Sequence, residues 1–216
     1  EFVSETIPLN FIQCNSNVFY RKLVETSSTK EHLEGINFKA LATKKYDNEE
    51  SIYSNLNIQY CEPELREGLF ELEKAKNNQL PKLVELSDLK GILHNHSTYS
   101  DGMNTLEEMA VYCKQLGYQY LGICDHSKTA SYAGGLKVET VLLQQQEIEK
   151  LNKQLFPFKI FKGIESDILG NGDLDYEEDI LKTFDFIVAS VHANLKMDED
   201  KATTRLIKAI ENPYTT

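Results

Sequence analysis

Two histidines one residue apart, His94 and His96, are the residues of this chain best suited to chemistry. They follow a short apolar run, residues 89–93, which predicts a β-strand. Neutral imidazole binds zinc, manganese and iron, and two imidazoles at this spacing can reach one ion where a strand ends and the chain turns into a loop. The pair alone is more typical of solvated or hydrogen-bonded histidines.

The same arrangement recurs downstream, where an apolar run is again followed at once by a residue that can bind a metal. Asp125 and His126 follow residues 120–124, Glu165 follows residues 160–164, and His192 follows residues 186–191. Imidazole and carboxylate without thiolate ligands argue against a purely structural zinc site. A carboxylate such as Glu165 can bridge two ions about 3.5 to 4 Å apart, and such ions activate water for attack on a phosphate ester.

Helical segments separate these strands. Residues 105–116, 138–155 and 200–211 carry apolar side chains at helical spacing, and Thr105 with Glu108 forms a capping-box pattern. Strands that alternate with helices predict a parallel α/β barrel, in which the carboxyl ends of all strands meet at one mouth. We therefore favour a shared metal site over a coincidence of residue types.

The motifs resemble those of the PHP (polymerase and histidinol phosphatase) domain. They are His94-Asn95-His96 with Ser100-Asp101-Gly102, then Asp125-His126-Ser127, then residues 163–167 and then residues 190–192. Ala133-Gly134-Gly135-Leu136 resembles this domain as it occurs at the C-terminus of bacterial family X DNA polymerases. The resemblance covers residues 90–216.

The resemblance implies a distorted (β/α)7 barrel that holds up to three divalent ions, Mn²⁺ or Zn²⁺. It implies these metal ligands: His94 and His96 for the first ion, Glu165 as a bridge to the second, His192 for the second, and Asp101 with His126 for the third. Glu165, His126 and Asp125 are the candidate catalytic residues. Asp125 either orients a neighbouring ligand or merely ends its strand.

The family's later motifs, a His-Pro and an Asp-x-His, are absent. The expectation is therefore a partial PHP barrel in a truncated chain, with fewer ligands than the complete domain and with activity reduced or lost.

Residues 1–89 resemble the palm end, thumb and linker of a family X polymerase, which predicts a small α+β segment before the barrel. The matching stretches are residues 61–68 and 80–86. Asn10 falls where that family has its third palm carboxylate, and an amide cannot replace a carboxylate in holding Mg²⁺. Polymerase activity is thus expected to be lost, unless the register of this stretch is shifted.

The composition limits the class of partner. The 216 residues carry a formal net charge of −11, whereas a free-standing nucleic-acid binder usually shows a basic stripe. Either the DNA-binding surface lies outside this chain or the substrate is small. The four cysteines show no Cys-x-x-Cys spacing and are expected to be free thiols in the cytoplasm. No stretch resembles a membrane span, and no protein partner is evident.

The sequence thus favours a metal-dependent phosphoesterase that acts on DNA 3′ ends in repair, as a 3′-to-5′ exonuclease or phosphatase. Two alternatives stay open: a non-catalytic scaffold, and a small-molecule phosphatase of the histidinol-phosphatase type. Tyr99 and Tyr132 flank the predicted mouth, where packing is favoured over stacking of a base.

Overall fold

The computed structural model describes residues 10–41 and 44–216, which form two compact units, Glu1–Leu83 and Val84–Thr216. The boundary predicted from the sequence lay at residues 89 and 90. Within the described residues, none of the helices combines the length and apolarity that a membrane span requires. The four cysteines are unpaired, and Cys61, Cys113 and Cys124 are buried.

The described part of the first unit is helical. It contains α1 (Phe19–Thr26), α2 (Lys30–Gly35), α3 (Glu49–Asn55) and α4 (Glu71–Lys76). Its core includes Val24, Ile52 and Tyr53, all fully buried. Because no β-strand occurs among its described residues, the predicted α+β character of this segment is not confirmed. Asn10 lies before α1 without regular structure, and its proposed relation to a palm carboxylate remains a prediction.

The second unit is built from four parallel strands and four helices in alternation. They are β1 (Gly91–Asn95), α5 (Leu106–Gln115), β2 (Tyr120–Ile123), α6 (Val138–Leu155), β3 (Lys159–Asp167), α7 (Glu178–Leu181), β4 (Phe186–Ser190) and α8 (Glu199–Ile210). The strands pair in the order β1-β2-β3-β4 and curl into half of a barrel. The α/β prediction of a partial barrel is confirmed at this level.

Local sequence accounts for where these elements begin and end. The Thr105 hydroxyl accepts a hydrogen bond from the Glu108 backbone N–H, and the Glu108 carboxylate accepts one from the Thr105 N–H, which satisfies two free donors at the start of α5. Gly117 adopts a left-handed backbone just after α5. Asp198 caps α8 by accepting from the Lys201 N–H.

Two apolar clusters hold the helices against the sheet. One joins α5 and α6 to β2 and β3 through residues such as Leu106, Leu121 and Ile148, which are at most 1% exposed. The other includes Ile164 of β3 and Ile187 of β4. Full burial of one such side chain contributes roughly 1.5 to 3 kcal/mol. The packed sheet therefore fixes the positions of the residues at its carboxyl edge.

Candidate metal centre

The first two candidate ligands lie at an irregular end of β1. His94 belongs to β1 but has a left-handed backbone (φ 61°), and the pairing of β1 with β2 shifts register between Ile92 and Asn95. This bulge turns the chain at the strand end. As a result, the rings of His94 and His96 stack with their centroids 5.5 Å apart.

Glu165 lies at the centre of the candidate site. It is 7% exposed, and four imidazoles surround its carboxylate. Oε1 lies 3.5 Å from His94 Nε2 and 3.2 Å from His192 Nε2, while Oε2 lies 3.4 Å from His96 Nε2 and 3.1 Å from His126 Nδ1. The four strand ends therefore meet at one carboxylate.

The position of Glu165 differs from the expectation in one respect, because it lies inside β3 rather than after it. The strand runs on to Asp167 since β4 pairs with it along its whole final part, from Gly163 to Asp167. On its other side, the Glu165 N–H donates to the Asp125 carbonyl, and the Glu165 carbonyl accepts from the Ser127 N–H. These two backbone hydrogen bonds fix the backbone of Glu165 and therefore the side of the sheet on which its carboxylate lies.

Asp101 completes the cluster on its exposed side. Its Oδ1 lies 3.0 Å from His96 Nδ1 and its Oδ2 lies 3.6 Å from His126 Nε2, and the side chain is 48% exposed. Partial burial by itself raises the pKa of this carboxyl, but the hydrogen bond from His96 and the charges of His126 and His96 outweigh it, so the pKa falls below 3.8. Asp101 is therefore a carboxylate at neutral pH.

The candidate ligand atoms fall into three overlapping groups, within each of which they lie no more than 4.8 Å apart. The groups are His94, His96 and Glu165; His96, Asp101 and His126; and His126, Glu165 and His192. All six sequence-predicted metal ligands belong to this cluster.

One buried atom is consistent with a cation at this place. His126 Nδ1 is inaccessible to water and has no hydrogen-bond partner, although Glu165 Oε2 lies 3.1 Å away. Buried ring nitrogens in proteins are normally satisfied. Imidazole nitrogens and carboxylate oxygens are also ligands that zinc and manganese accept. The residues present thus fit a divalent ion.

Asp125, the remaining candidate, does not belong to any of these groups. Its fully buried carboxylate accepts hydrogen bonds from the Ser97 N–H and hydroxyl, from the Ser100 hydroxyl and from Gln144 Nε2. The side chain thus holds residues 97–100, the loop between His96 and Asp101. The sequence left open whether Asp125 orients a neighbouring ligand or merely ends its strand; its hydrogen bonds go to the loop that joins the candidate ligands His96 and Asp101.

Asp167 is a contact of the site that the sequence analysis did not single out. Its Oδ1 lies 2.8 Å from His192 Nδ1, and its Oδ2 accepts a hydrogen bond from the Thr129 hydroxyl. An N–H at Nδ1 leaves the Nε2 lone pair of His192 facing Glu165. The signal was the spacing of Glu165 and Asp167, because residues i and i+2 of a strand lie on the same face.

The two tyrosines near the mouth differ in environment. The Tyr99 hydroxyl donates to Glu147, and burial followed by that hydrogen bond raises the pKa of Tyr99 to about 12. Tyr99 packs, as expected. Tyr132 is 71% exposed, so the expectation of packing is wrong for it. The pKa of its phenol is raised, first by desolvation and then by the carboxylates of the cluster.

Comparison with known proteins agrees with the motifs. The PHP domain family matches residues 93–214. The DNA polymerase/3′-5′ exonuclease PolX of Bacillus subtilis (strain 168) is 39% identical over 171 residues, which cover 79% of this chain and 30% of that protein.

Probable phosphatases are also similar. One from Thermoanaerobacter sp. (strain X514) is 31% identical over 139 residues, covering 58% of this chain and 52% of its own, and one from Acetivibrio thermocellus is 27% identical over 125 residues, covering 56% and 49%. The chain thus spans about half the length of these phosphatases and less than a third of PolX. Because the family match extends over more than half of its residues, this chain belongs to the PHP domain family.

Proposed function

We propose that the second unit is a metal-dependent phosphoesterase. The observation that carries the proposal is the arrangement around Glu165, whose carboxylate has an imidazole nitrogen within 3.5 Å in four directions. A buried carboxylate costs free energy unless it is paired or binds a cation. This weighs against a non-catalytic scaffold.

The proposed roles follow the three groups of ligand atoms. His94, His96 and Glu165 would hold one ion, and His126, Glu165 and His192 would hold a second. His96, Asp101 and His126 would hold a third. Bound Mn²⁺ or Zn²⁺ supplies positive charge for a phosphate and lowers the pKa of water.

The side chains outside the ligand groups keep this arrangement in place. Asp167 holds His192 with Nε2 towards Glu165, and Asp125 holds the loop that carries His96 and Asp101. We assign both as positioning residues, so that Asp125 acts on the site only through Ser97 and Ser100. The candidate catalytic roles then stay with Glu165 and His126, which contact one another.

For the substrate, we propose DNA 3′ ends, hydrolysed in the 3′-to-5′ direction in repair. The support is the likeness to PolX, which is named both a polymerase and a 3′-5′ exonuclease. We also propose that the chain does not polymerise, since Asn10 supplies a neutral oxygen where a carboxylate would be needed.

A small phosphate ester is the second candidate substrate. The net charge of −11 and the likeness to probable phosphatases favour it. A polyanion is repelled by a surface of this sign, whereas a small ester presents few charges.

The test is hydrolysis of a single-stranded 3′-labelled oligonucleotide and of glycerol phosphate, with added Mn²⁺ or Zn²⁺. We expect turnover of at least one substrate, and we expect Glu165→Gln to lower it about 100-fold or more because the amide offers one neutral oxygen. Glu107→Gln, at an exposed glutamate of α5, is the matched control and should keep wild-type turnover.

Two results would overturn the proposal. One is a metal-loaded chain that leaves both substrates intact; calorimetric binding of the ion without turnover would then favour the scaffold. The other is unchanged turnover in Glu165→Gln. Release of single nucleotides from the 3′ end would favour the exonuclease over the small-molecule phosphatase.

A further inference from the structure

Tyr132 lies beside the candidate metal centre and is mostly exposed. Its ring centroid is 6.1 Å from that of His126 and 6.4 Å from that of His192, yet the residue is 71% exposed. The ring belongs to neither apolar cluster of the second unit, and among residues 10–41 and 44–216 its hydroxyl has no hydrogen-bond partner. Packing therefore does not account for an aromatic residue at this position.

The loop that carries Tyr132 is tightly held. A short turn, Ser131–Ala133, is closed by hydrogen bonds from the Ala133 and Gly135 N–H groups to the Ala130 carbonyl. Ala130 and Ala133 are buried on either side of the tyrosine, so the ring points outward between them.

The end of the loop is anchored to the ligand-bearing chain. A Cβ on Gly135 would lie 1.9 Å from the Ser127 carbonyl oxygen, so the two backbones are in direct contact. The Leu136 N–H donates to the His126 carbonyl, and the Tyr176 hydroxyl donates to the Leu136 carbonyl. A loop whose backbone is already fixed loses little conformational entropy when a ligand binds beside it.

The charge around the cluster limits how a substrate can be held. Within the part of the chain that the structure describes, no Lys or Arg forms an ion pair with Asp101, Glu165 or Asp167. Bound cations would account for the phosphate, but they provide nothing for the organic part of an ester. A flat apolar face beside the cluster can bind this organic part, because aromatic rings and nucleobases stack on tyrosine without any charged partner.

We propose that Tyr132 is a specificity-determining residue that stacks on the organic group of the substrate, so that the site favours phosphate esters bearing a nucleobase or another aromatic ring. This inference rests on the proposed phosphoesterase function and adds a substrate class to it. It applies equally to a terminal nucleotide of DNA and to a free nucleotide, since both present the same flat ring next to a phosphate.

The experiment compares two esters with similar leaving alcohols, adenosine 5′-monophosphate and glycerol phosphate. Tyr132→Leu should raise KM for the nucleotide about 5- to 150-fold, the range expected for loss of base stacking, and should leave KM for glycerol phosphate within about twofold. Tyr132→Phe keeps the ring and should keep the wild-type KM. Tyr112→Leu, at another exposed tyrosine on α5, is the matched control and should change neither.

Equal changes in KM for both esters, or no change for either, would overturn the inference. If neither ester is hydrolysed, the proposed function is decided by the oligonucleotide assay, and the inference is tested by binding. Calorimetry with adenosine monophosphate and Zn²⁺ then supports the inference if Tyr132→Leu binds the nucleotide at least about fivefold more weakly than wild type. Equal binding, or no binding by wild type, rejects it.

Discussion

Asp125→Ala should destabilise the second unit by a large and calculable amount. The buried carboxylate accepts from four donors, and Ser97 and Gln144 are at most 1% exposed. The two serine hydroxyls can rotate towards other acceptors, whereas the Ser97 N–H and one amide N–H of Gln144 are left buried. At about 1 to 3 kcal/mol for each unsatisfied donor, the cost is about 4 kcal/mol.

Asp125→Asn should cost much less. The amide oxygen can still accept from the Ser97 N–H, and the Gln144 amide can flip to present its oxygen to the new NH₂ group. We expect a loss of about 1 to 2 kcal/mol, because a neutral acceptor replaces a charged one. The difference in unfolding free energy between the two variants measures what the hydrogen bonds contribute beyond the charge, because Asn and Asp have nearly the same volume.

Native-state hydrogen exchange at the amides of residues 121–123 is the appropriate assay. These amides lie in β2, a central strand of the second unit, so their opening free energy reports on that unit and not on residues 1–83. Asp200→Ala, at an exposed aspartate of α8, should stay within about 0.5 kcal/mol of wild type. An Asp125→Ala value equally close to wild type would refute the reasoning.

Two further predictions concern other buried contacts. Burial lowers the pKa of His32 below 6.5 despite the hydrogen bond to Glu71, so the unfolded state binds more protons as the pH falls. The free energy of unfolding of the first unit should therefore be highest above pH 6.5 and should decrease from there towards pH 5. Hydrogen exchange of the α1 amides measures it, and stability that rises on acidification would contradict the prediction. Asp167→Asn should weaken Zn²⁺ binding about 10-fold in calorimetric titrations, since His192 loses a charged partner, and an unchanged affinity would remove Asp167 from the positioning role.

Sequence was sufficient for the second unit because its signals are local and repeated. The units of α5 and α8 each contain an apolar run, a capping side chain and an amphipathic helix. The observed bounds of α6, Val138–Leu155, are those that periodicity predicts. The candidate ligands follow because parallel strands bring their carboxyl ends to one edge. For the short helix α7, the acidic residues 173–179 suggest a helix start, but Glu178–Leu181 is too short for periodicity to define its extent.

Features that depend on contacts between strands could not be predicted from the sequence. β3 extends past Glu165 because β4 pairs with it, and the residues of β3 do not predict that pairing. The four donors around Asp125 come from residues up to 28 positions away, so its role could not be read from its place after β2. In the first unit, α+β was expected from the resemblance to a polymerase segment, whereas the structure has short helices tied by the buried His32–Glu71 contact.

The overlap of the three ligand groups has a consequence for how the site can change. His96, His126 and Glu165 each belong to two groups, whereas His94, Asp101 and His192 each belong to one. The cluster is therefore a single connected unit, and an ion bound as proposed at one group would change the charge and geometry of the neighbouring group. On the proposed ligand roles, loss of a shared side chain would affect two groups and loss of an unshared one only one, so histidines of identical chemistry would differ in their tolerance to substitution.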